Sequence, residues 1–174
     1  MNDIRFPDAL RLERLAREHP RRRFHSGEPM VDDWLATKAL QHQAKHLSVT
    51  KVLIHDAGIS AGYYTLATGQ VDFNELPSDE SKHLPRRILP VAVLSWLEVH
   101  DKRQGEGLGA LLLAQSLRDC WEGGKTFPFV AVILDCINKS AKTFYQRWDF
   151  VELPGHPFRL FLSAKQLEAI IAGK

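Results

Sequence analysis

The sequence predicts a mixed α/β fold, an antiparallel run of strands followed by a parallel strand–helix–strand crossover. Three observations point there. Two strand-like runs, Val49 to His55 and Ile59 to Thr68, are joined by Asp56-Ala57-Gly58, a hairpin turn signal. A third run, Val91 to Val99, is separated from a fourth, Phe129 to Cys136, by the helical pattern Gly107 to Glu122. The fourth run is continuously β-branched and aromatic, as a strand buried on both faces should be. A strand, a helix and a further strand in that order make a parallel crossover.

Composition agrees. The 174 residues are 44% hydrophobic and 25% charged, enough for one core, so the chain reads as one domain over 1–174. A formal charge of +2 suits an anionic ligand without demanding nucleic acid. The basic residues are clustered, at Arg21 to Arg23 and at Arg86 and Arg87. The longest apolar runs fall short of the ~20 residues that cross a bilayer. The N-terminus lacks the apolar stretch of an export signal. Cys120 and Cys136 form no CxxC pair, so the expected location is cytoplasmic, with both thiols reduced and buried.

The remaining elements follow in order. Pro7 to His19 places Ala9, Leu12, Leu15 and Ala16 on one helical stripe, so residues 1–20 read as an extra N-terminal helix. His19-Pro20 stops it. In a second helix Ser26 is the expected N-cap, Pro29 lies in the first turn, and Asp32 and Asp33 sit near the positive dipole end. Val31, Trp34, Leu35 and Ala39 recur at helical spacing and should face the core. His42 and His46 stand four apart, but no third ligand is signalled, so no metal is expected. Asn74 to Arg87 reads as a long polar loop of functional length, and Pro90 opens the third strand.

The crossover helix packs Leu108, Leu111, Leu112 and Leu117, and Gly123-Gly124 ends it. Asn138 caps a helix running to Arg147. Phe150 to Leu153 and Phe158 to Leu162 form a terminal strand pair. Ser163 and Gln166 make a capping box for a last helix, Ala164 to Ala172.

The chemistry is concentrated in Arg103-Gln104-Gly105-Glu106-Gly107-Leu108-Gly109-Ala110, between a strand and a helix. Alternate glycines permit backbone conformations that other residues resist and remove side chains from the ligand's path. The helix entrance beyond them offers unpaired N–H groups and a partial positive charge. Together these suit a diphosphate. Gly105-x-Gly107-x-x-Ala110 formally satisfies a dinucleotide fingerprint. That motif wants its first glycine directly after the first strand, whereas His100 to Gln104 intervene here. The absence of Gly-Lys-Ser/Thr excludes a Walker loop.

With these residues the chain resembles the GNAT superfamily of N-acetyltransferases. The signature Arg/Gln-x-x-Gly-x-Gly/Ala is met by Gln104-x-x-Gly107-x-Gly109 after Leu97-Glu98-Val99, and a second by Asn138, Ala141, Phe144 and Tyr145. Where the family commonly has Gly before Phe, this chain has Asp149 before Phe150, and Asp tolerates the left-handed turn well. Over about Arg23 to Leu167 the chain also resembles the tRNA-acetylating GNAT toxins of bacterial toxin–antitoxin pairs. That likeness rests on Phe24-x-Ser26-Gly27-x-x-x-Val31-Asp32-x-Trp34-Leu35, on Ala61-Gly62-Tyr63-Tyr64-x-Leu66-Ala67, and on Pro90-Val91-x-Val93-Leu94.

The resemblance implies a mostly antiparallel sheet with a parallel, splayed strand pair at the cofactor site, flanked by helices. It implies acetyl-CoA as acetyl donor, gripped by Leu97, Glu98 and Val99, by Arg103 to Ala110 (Arg103, Gln104, Gly105, Glu106, Gly107, Leu108, Gly109, Ala110), and by Asn138, Phe144 and Tyr145. The Val99 amide would polarise the thioester carbonyl, and Tyr145 would protonate the departing sulfur. An α-amine with a pKa near ~8 needs little help, so water suffices as base; Glu98 and His100 are possible bases, with strand-edge charge the favoured reading of each. No acyl-cysteine is expected. The acceptor implied is the α-amine of aminoacyl-tRNA, with Arg86, Arg87, Lys38 and Lys45 on its phosphates. A ribbon-helix-helix antitoxin and a homodimer are implied as well. A small amine or a protein lysine as acceptor, or a non-catalytic acyl-CoA-binding module, remain the competing readings.

Overall fold

A computed structural model describes residues 1–56, 58 and 60–173. The strands are β1 (Leu10–Arg14), β2 (Val49–His55), β3 (Ser60–Asp72), β4 (Ile88–Val99), β5 (Ala131–Asp135), β6 (Val151–Leu153) and β7 (His156–Ser163). They form one sheet in the order β1-β2-β3-β4-β5-β7-β6. Pairing is antiparallel for β1–β2, β2–β3, β5–β7 and β6–β7, and parallel for β4–β5. The helices are α1 (Pro29–Asp33), α2 (Ala39–Ala44), α3 (Ser78–Ser81), α4 (Leu108–Gly124), α5 (Lys139–Gln146) and α6 (Ala164–Ile171). The expected turn at Asp56-Ala57-Gly58 and the strand start at Ile59 fall partly outside the described residues.

The chain divides into two compact units, one of Asn2–Ala67 with Leu94–Leu117, the other of Thr68–Val93 with Arg118–Lys174 and Met1. In the first, Leu15, Phe24, Val31, Leu35, Ala39, Val52, Ile54 and Tyr63 form the core, with Trp34 and Trp96 packed against it. Cross-strand partners Thr50 and Thr65 share a buried hydroxyl hydrogen bond of 2.7 Å. The second unit buries Val71, Leu89, Val91, Ala131, Ile133 and Phe161.

The N-terminal segment corrects the sequence reading. Residues 10–14 are a strand, not part of a helix, and pair with β2 from Leu10↔His55 to Arg14↔Lys51. The stripe of Leu12, Leu15 and Ala16 fits a helix, but Leu10 and Leu12 also alternate with Arg11 and Glu13. Arg11 and Glu13 pair at 2.7 Å, two residues apart on one strand face. Long-range pairing with β2 overrides the local pattern, and the charges on this edge strand discourage further strand addition.

The second helix is also modified. Glu28, not Ser26, occupies the N-cap, and Pro29 takes the first helical position. Ser26 is buried, and both its amide (2.9 Å) and its hydroxyl (2.7 Å) donate to Asp32. Trp34–Lys38 forms a π-helical turn between α1 and α2, so the expected continuous helix is interrupted. The core face still follows the predicted residues, since Val31, Leu35 and Ala39 are buried. The 74–87 loop carries a 3-10 turn, Phe73–Glu75, and the short α3, and β3 runs on to Asp72.

Asn138 caps α5 as expected, accepting from the Ala141 amide at 2.8 Å. Asp149 takes φ +66, the left-handed conformation its position requires. Half of the expected capping box at α6 forms. Ser163 accepts from the Gln166 amide at 3.1 Å, while the Gln166 side chain donates to Asp149 at 3.2 Å.

Candidate acetyl-donor site

The site is built from the end of β4. The parallel ladder with β5 runs only from Val91↔Ala131 to Val93↔Ile133, whereas β4 continues to Val99. On its other side β4 is held close to β3, where the His100 amide donates to the Ala61 carbonyl at 2.9 Å. Gly62 allows that approach. A Cβ there would stand 2.7 Å from Leu112 Cδ1 and 3.0 Å from the Glu98 carbonyl oxygen. Gly62→Ala should therefore displace the Glu98–Val99 backbone and cost ~1–3 kcal/mol by overpacking. Thermal unfolding and acetyl-CoA affinity measured on the same variant should both fall.

After Val99 the chain makes a 3-10 turn, Asp101–Arg103, whose N-cap His100 accepts the Lys102 amide at 3.2 Å. The Gln104 side chain then spans the loop, donating to the Ser26 carbonyl (2.9 Å) and the Val99 carbonyl (3.2 Å). It braces the loop against the strand end. Arg103 pairs with Glu106 at 2.6 Å. Gly105 and Gly107 have φ +83 and +81, and a Cβ on either would meet nothing within 4 Å. Their need for glycine is thus conformational and not a matter of crowding. Gly107 leads into α4, where the amides of Leu108, Gly109 and Ala110 have no intrahelical acceptor. Two left-handed glycines before such a helix entrance fit a diphosphate.

Within the same unit Glu98 is half-buried, and its carboxylate accepts the Val99 amide at 3.2 Å. Burial pushes the Glu98 carboxyl above the usual carboxylate range. The Val99 hydrogen bond works against that shift, and the charges of Glu28 and Asp32 reinforce it. Trp96 stacks on Trp34 with ring centroids 5.4 Å apart, and His42 meets Trp34 edge-on at 4.6 Å.

In the other unit α5 carries the second motif. Tyr145 is 8% exposed. Its ring makes edge contacts with Phe144 (5.2 Å) and Phe150 (5.8 Å).

No family model matches the chain. A curated tRNA-acetylating toxin of Mycobacterium tuberculosis (strain ATCC 25618 / H37Rv) is 33% identical over 148 residues, 85% of this chain and 88% of that protein. The chain belongs to the family of tRNA-acetylating toxins. Solved structures of similar fold agree. A tyrosine-to-phenylalanine mutant of KacT matches with TM-score 0.88 at 25% identity, covering 94% of this chain and 99% of that one. AtaTR bound with acetyl-CoA matches with TM-score 0.83 at 26% identity, covering 95% and 99%.

Lys38, which closes the π turn, and Lys45, at the end of α2, are both exposed. Arg86 and Arg87 are exposed in the other unit, Arg86 lying over the Phe73 ring at 5.8 Å. The cysteines are poor nucleophiles. Burial pushes the Cys120 thiol up to about 12 and the Cys136 thiol up to about 11, which suits direct transfer. Among the described residues no group of three or more His, Cys, Asp or Glu is gathered as for a metal, and no helix is long and apolar enough to cross a membrane. Sequence reasoning missed the bracing role of Gln104 and the stacked Trp34–Trp96 pair. The Gln104 role depends on the Ser26 carbonyl, far away in sequence, and no local pattern could have indicated it.

Proposed function

We propose that this chain is an acetyl-CoA-dependent N-acetyltransferase, a toxin that acetylates the α-amine of aminoacyl-tRNA and so blocks translation. The observation that carries the proposal is the glycine-rich entrance to α4 after the end of β4 that runs beyond its ladder with β5, in a chain 33% identical to a tRNA-acetylating toxin. The backbone of Leu97, Glu98 and Val99 would line the pantetheine arm, and the amides from Gly105 to Ala110 would hold the diphosphate. Arg103, Gln104 and Glu106 fix the loop; Asn138 and Phe144 fix the helix that bears Tyr145. When bound, the donor supplies an acetyl thioester. The Val99 N–H polarises its carbonyl, a contribution of about 3 kcal/mol for one preorganised donor. Tyr145 returns a proton to the sulfur.

The whole chain acts as one catalytic domain in the cytoplasm, forms a homodimer and is neutralised by a ribbon-helix-helix antitoxin. These assignments extend the family likeness. Incubating the protein with labelled acetyl-CoA and total charged tRNA tests the acceptor. Label should appear on the aminoacyl α-amine; label confined to free amines or protein lysines would contradict it.

Arg86 and Arg87, with Lys38 and Lys45, are assigned to tRNA phosphates. The double change Arg86→Glu, Arg87→Glu should raise the KM for aminoacyl-tRNA at least tenfold while leaving acetyl-CoA affinity unchanged. Removing two arginine–phosphate pairs should flatten the salt dependence by about 1.4–1.8 in slope. Kinetics at several salt concentrations measure both effects.

A further inference from the structure

We infer that Glu98 is the proton acceptor for the incoming α-ammonium, and that its carboxylate guards the Val99 amide until the acetyl carbonyl takes that amide over. The inference rests on the proposed acceptor. Three features of the structure support it. The Glu98 carboxylate sits on the N–H assigned to polarise the carbonyl, at 3.2 Å, so a group arriving at that N–H must displace it. The displaced carboxylate belongs to the residue adjoining that amide, so it stays beside the position assigned to the acetyl carbonyl.

The second feature is the setting. Asp32 is committed to the Ser26 amide and hydroxyl, at 2.9 and 2.7 Å. The Tyr63 hydroxyl donates to the Val31 carbonyl at 2.8 Å, and burial pushes its own ionisation far up, so it stays neutral. With Glu28, these are the titratable groups that act on Glu98 from α1 and from β3. Asp32 and Tyr63 are thus committed to partners of their own, while the Glu98 carboxylate is held by the amide that the acetyl carbonyl is to take over.

The third feature is proton affinity. A carboxyl raised above its ordinary range is better matched to an ammonium than a solvated one, and proton transfer becomes easier as the two affinities converge. The surrounding negative charge also favours an ammonium over a neutral group.

The step balances. The α-ammonium gives one proton to the Glu98 carboxylate and becomes an amine. The amine nitrogen forms a bond to the acetyl carbon as the carbon–sulfur bond breaks. The second nitrogen-bound proton passes to water, the sulfur leaves with a proton from Tyr145, and the tyrosine is reprotonated from solvent. The proton on Glu98 passes to water, and the carboxylate returns to the Val99 amide.

Glu98→Gln keeps an acceptor for that amide and removes the base. Its kcat/KM for aminoacyl-tRNA at pH 6.5 should fall about 10²-fold or more. The rate should then rise nearly tenfold per pH unit toward the amine's own pKa, while acetyl-CoA affinity stays within about threefold. Glu98→Asp should keep the wild-type profile shape at a lower rate. A second readout needs no turnover. A carboxyl raised in the folded state destabilises the fold increasingly as pH climbs from its unfolded pKa to its folded one, and fully above that. Glu98→Gln should therefore melt higher than wild type at pH 8, with the gain fading as pH falls and gone below about pH 4. A Glu98→Gln enzyme within twofold of wild type at pH 6.5, or a Glu98→Asp profile shaped like that of Glu98→Gln, overturns the inference. Wild-type protein that binds acetyl-CoA but leaves aminoacyl-tRNA unmodified overturns the acceptor assignment as well, so the two failures are distinguishable.

Discussion

Replacing Gly107 with Val should abolish measurable acetyl-CoA binding while leaving a folded protein. Gly107 holds φ +81, and a Cβ there meets nothing within 4 Å, so no core packing is disturbed. A β-branched residue resists that backbone region, at a cost of about 1–2 kcal/mol. The chain escapes the strain by rotating the peptides on either side, and those peptides aim the amides at the mouth of α4. A hydrogen bond to a charged group contributes about 1.5–3 kcal/mol, so misdirecting two of them costs about 3–6 kcal/mol. At 1.4 kcal/mol per factor of ten, affinity drops at least a hundredfold. Gly155 supplies the control. It has φ +79 and equally open space, in the turn between β6 and β7. Gly155→Val should lower the melting point by a similar amount and leave the dissociation constant unchanged. Calorimetric titration of both variants with acetyl-CoA separates backbone strain from loss of the cradle. Equal binding by Gly107→Val and wild type would remove the loop from the cofactor site.

What could be read from the sequence depended on how local its cause was. The loop at Gly105 and Gly107 was legible because a left-handed conformation leaves a mark in the residue type itself, and so was Asp149. The Asn138 cap was legible because its partner, Ala141, lies three residues on. The N-terminal strand was not. Leu12, Leu15 and Ala16 satisfy a helical period as well as Leu10 and Leu12 satisfy a strand period, and only pairing with β2, some forty residues away, decides between them. The π turn left no mark either, because Val31, Leu35 and Ala39 at four-residue spacing also suit an ordinary helix. Glu98 was visible as one of two possible bases, with His100, but nothing local set it above a strand-edge charge. Its partners, Glu28 and Asp32, arrive through the fold, and its proton affinity is a property of that company and of burial.

Tyr145→Phe should lower kcat for aminoacyl-tRNA acetylation by about 10²–10⁴-fold, the range for loss of a positioned proton donor. Acetyl-CoA affinity should hold within a few-fold. The change deletes one oxygen from a side chain whose ring is held by edge contacts with Phe144 and Phe150, at 5.2 and 5.8 Å. The phenylalanine ring keeps both contacts and the Asn138-capped helix beneath them. Losing a hydroxyl hydrogen bond costs about 1 kcal/mol, which at this chain length lowers the melting point by roughly 2–4 °C. A folded protein that binds the donor and hardly turns over is therefore the expected phenotype, and it distinguishes chemistry from packing. Tyr145→Leu, by contrast, removes the ring and should lose stability and turnover together. A Tyr145→Phe enzyme that keeps most of its turnover would take the phenol out of the reaction.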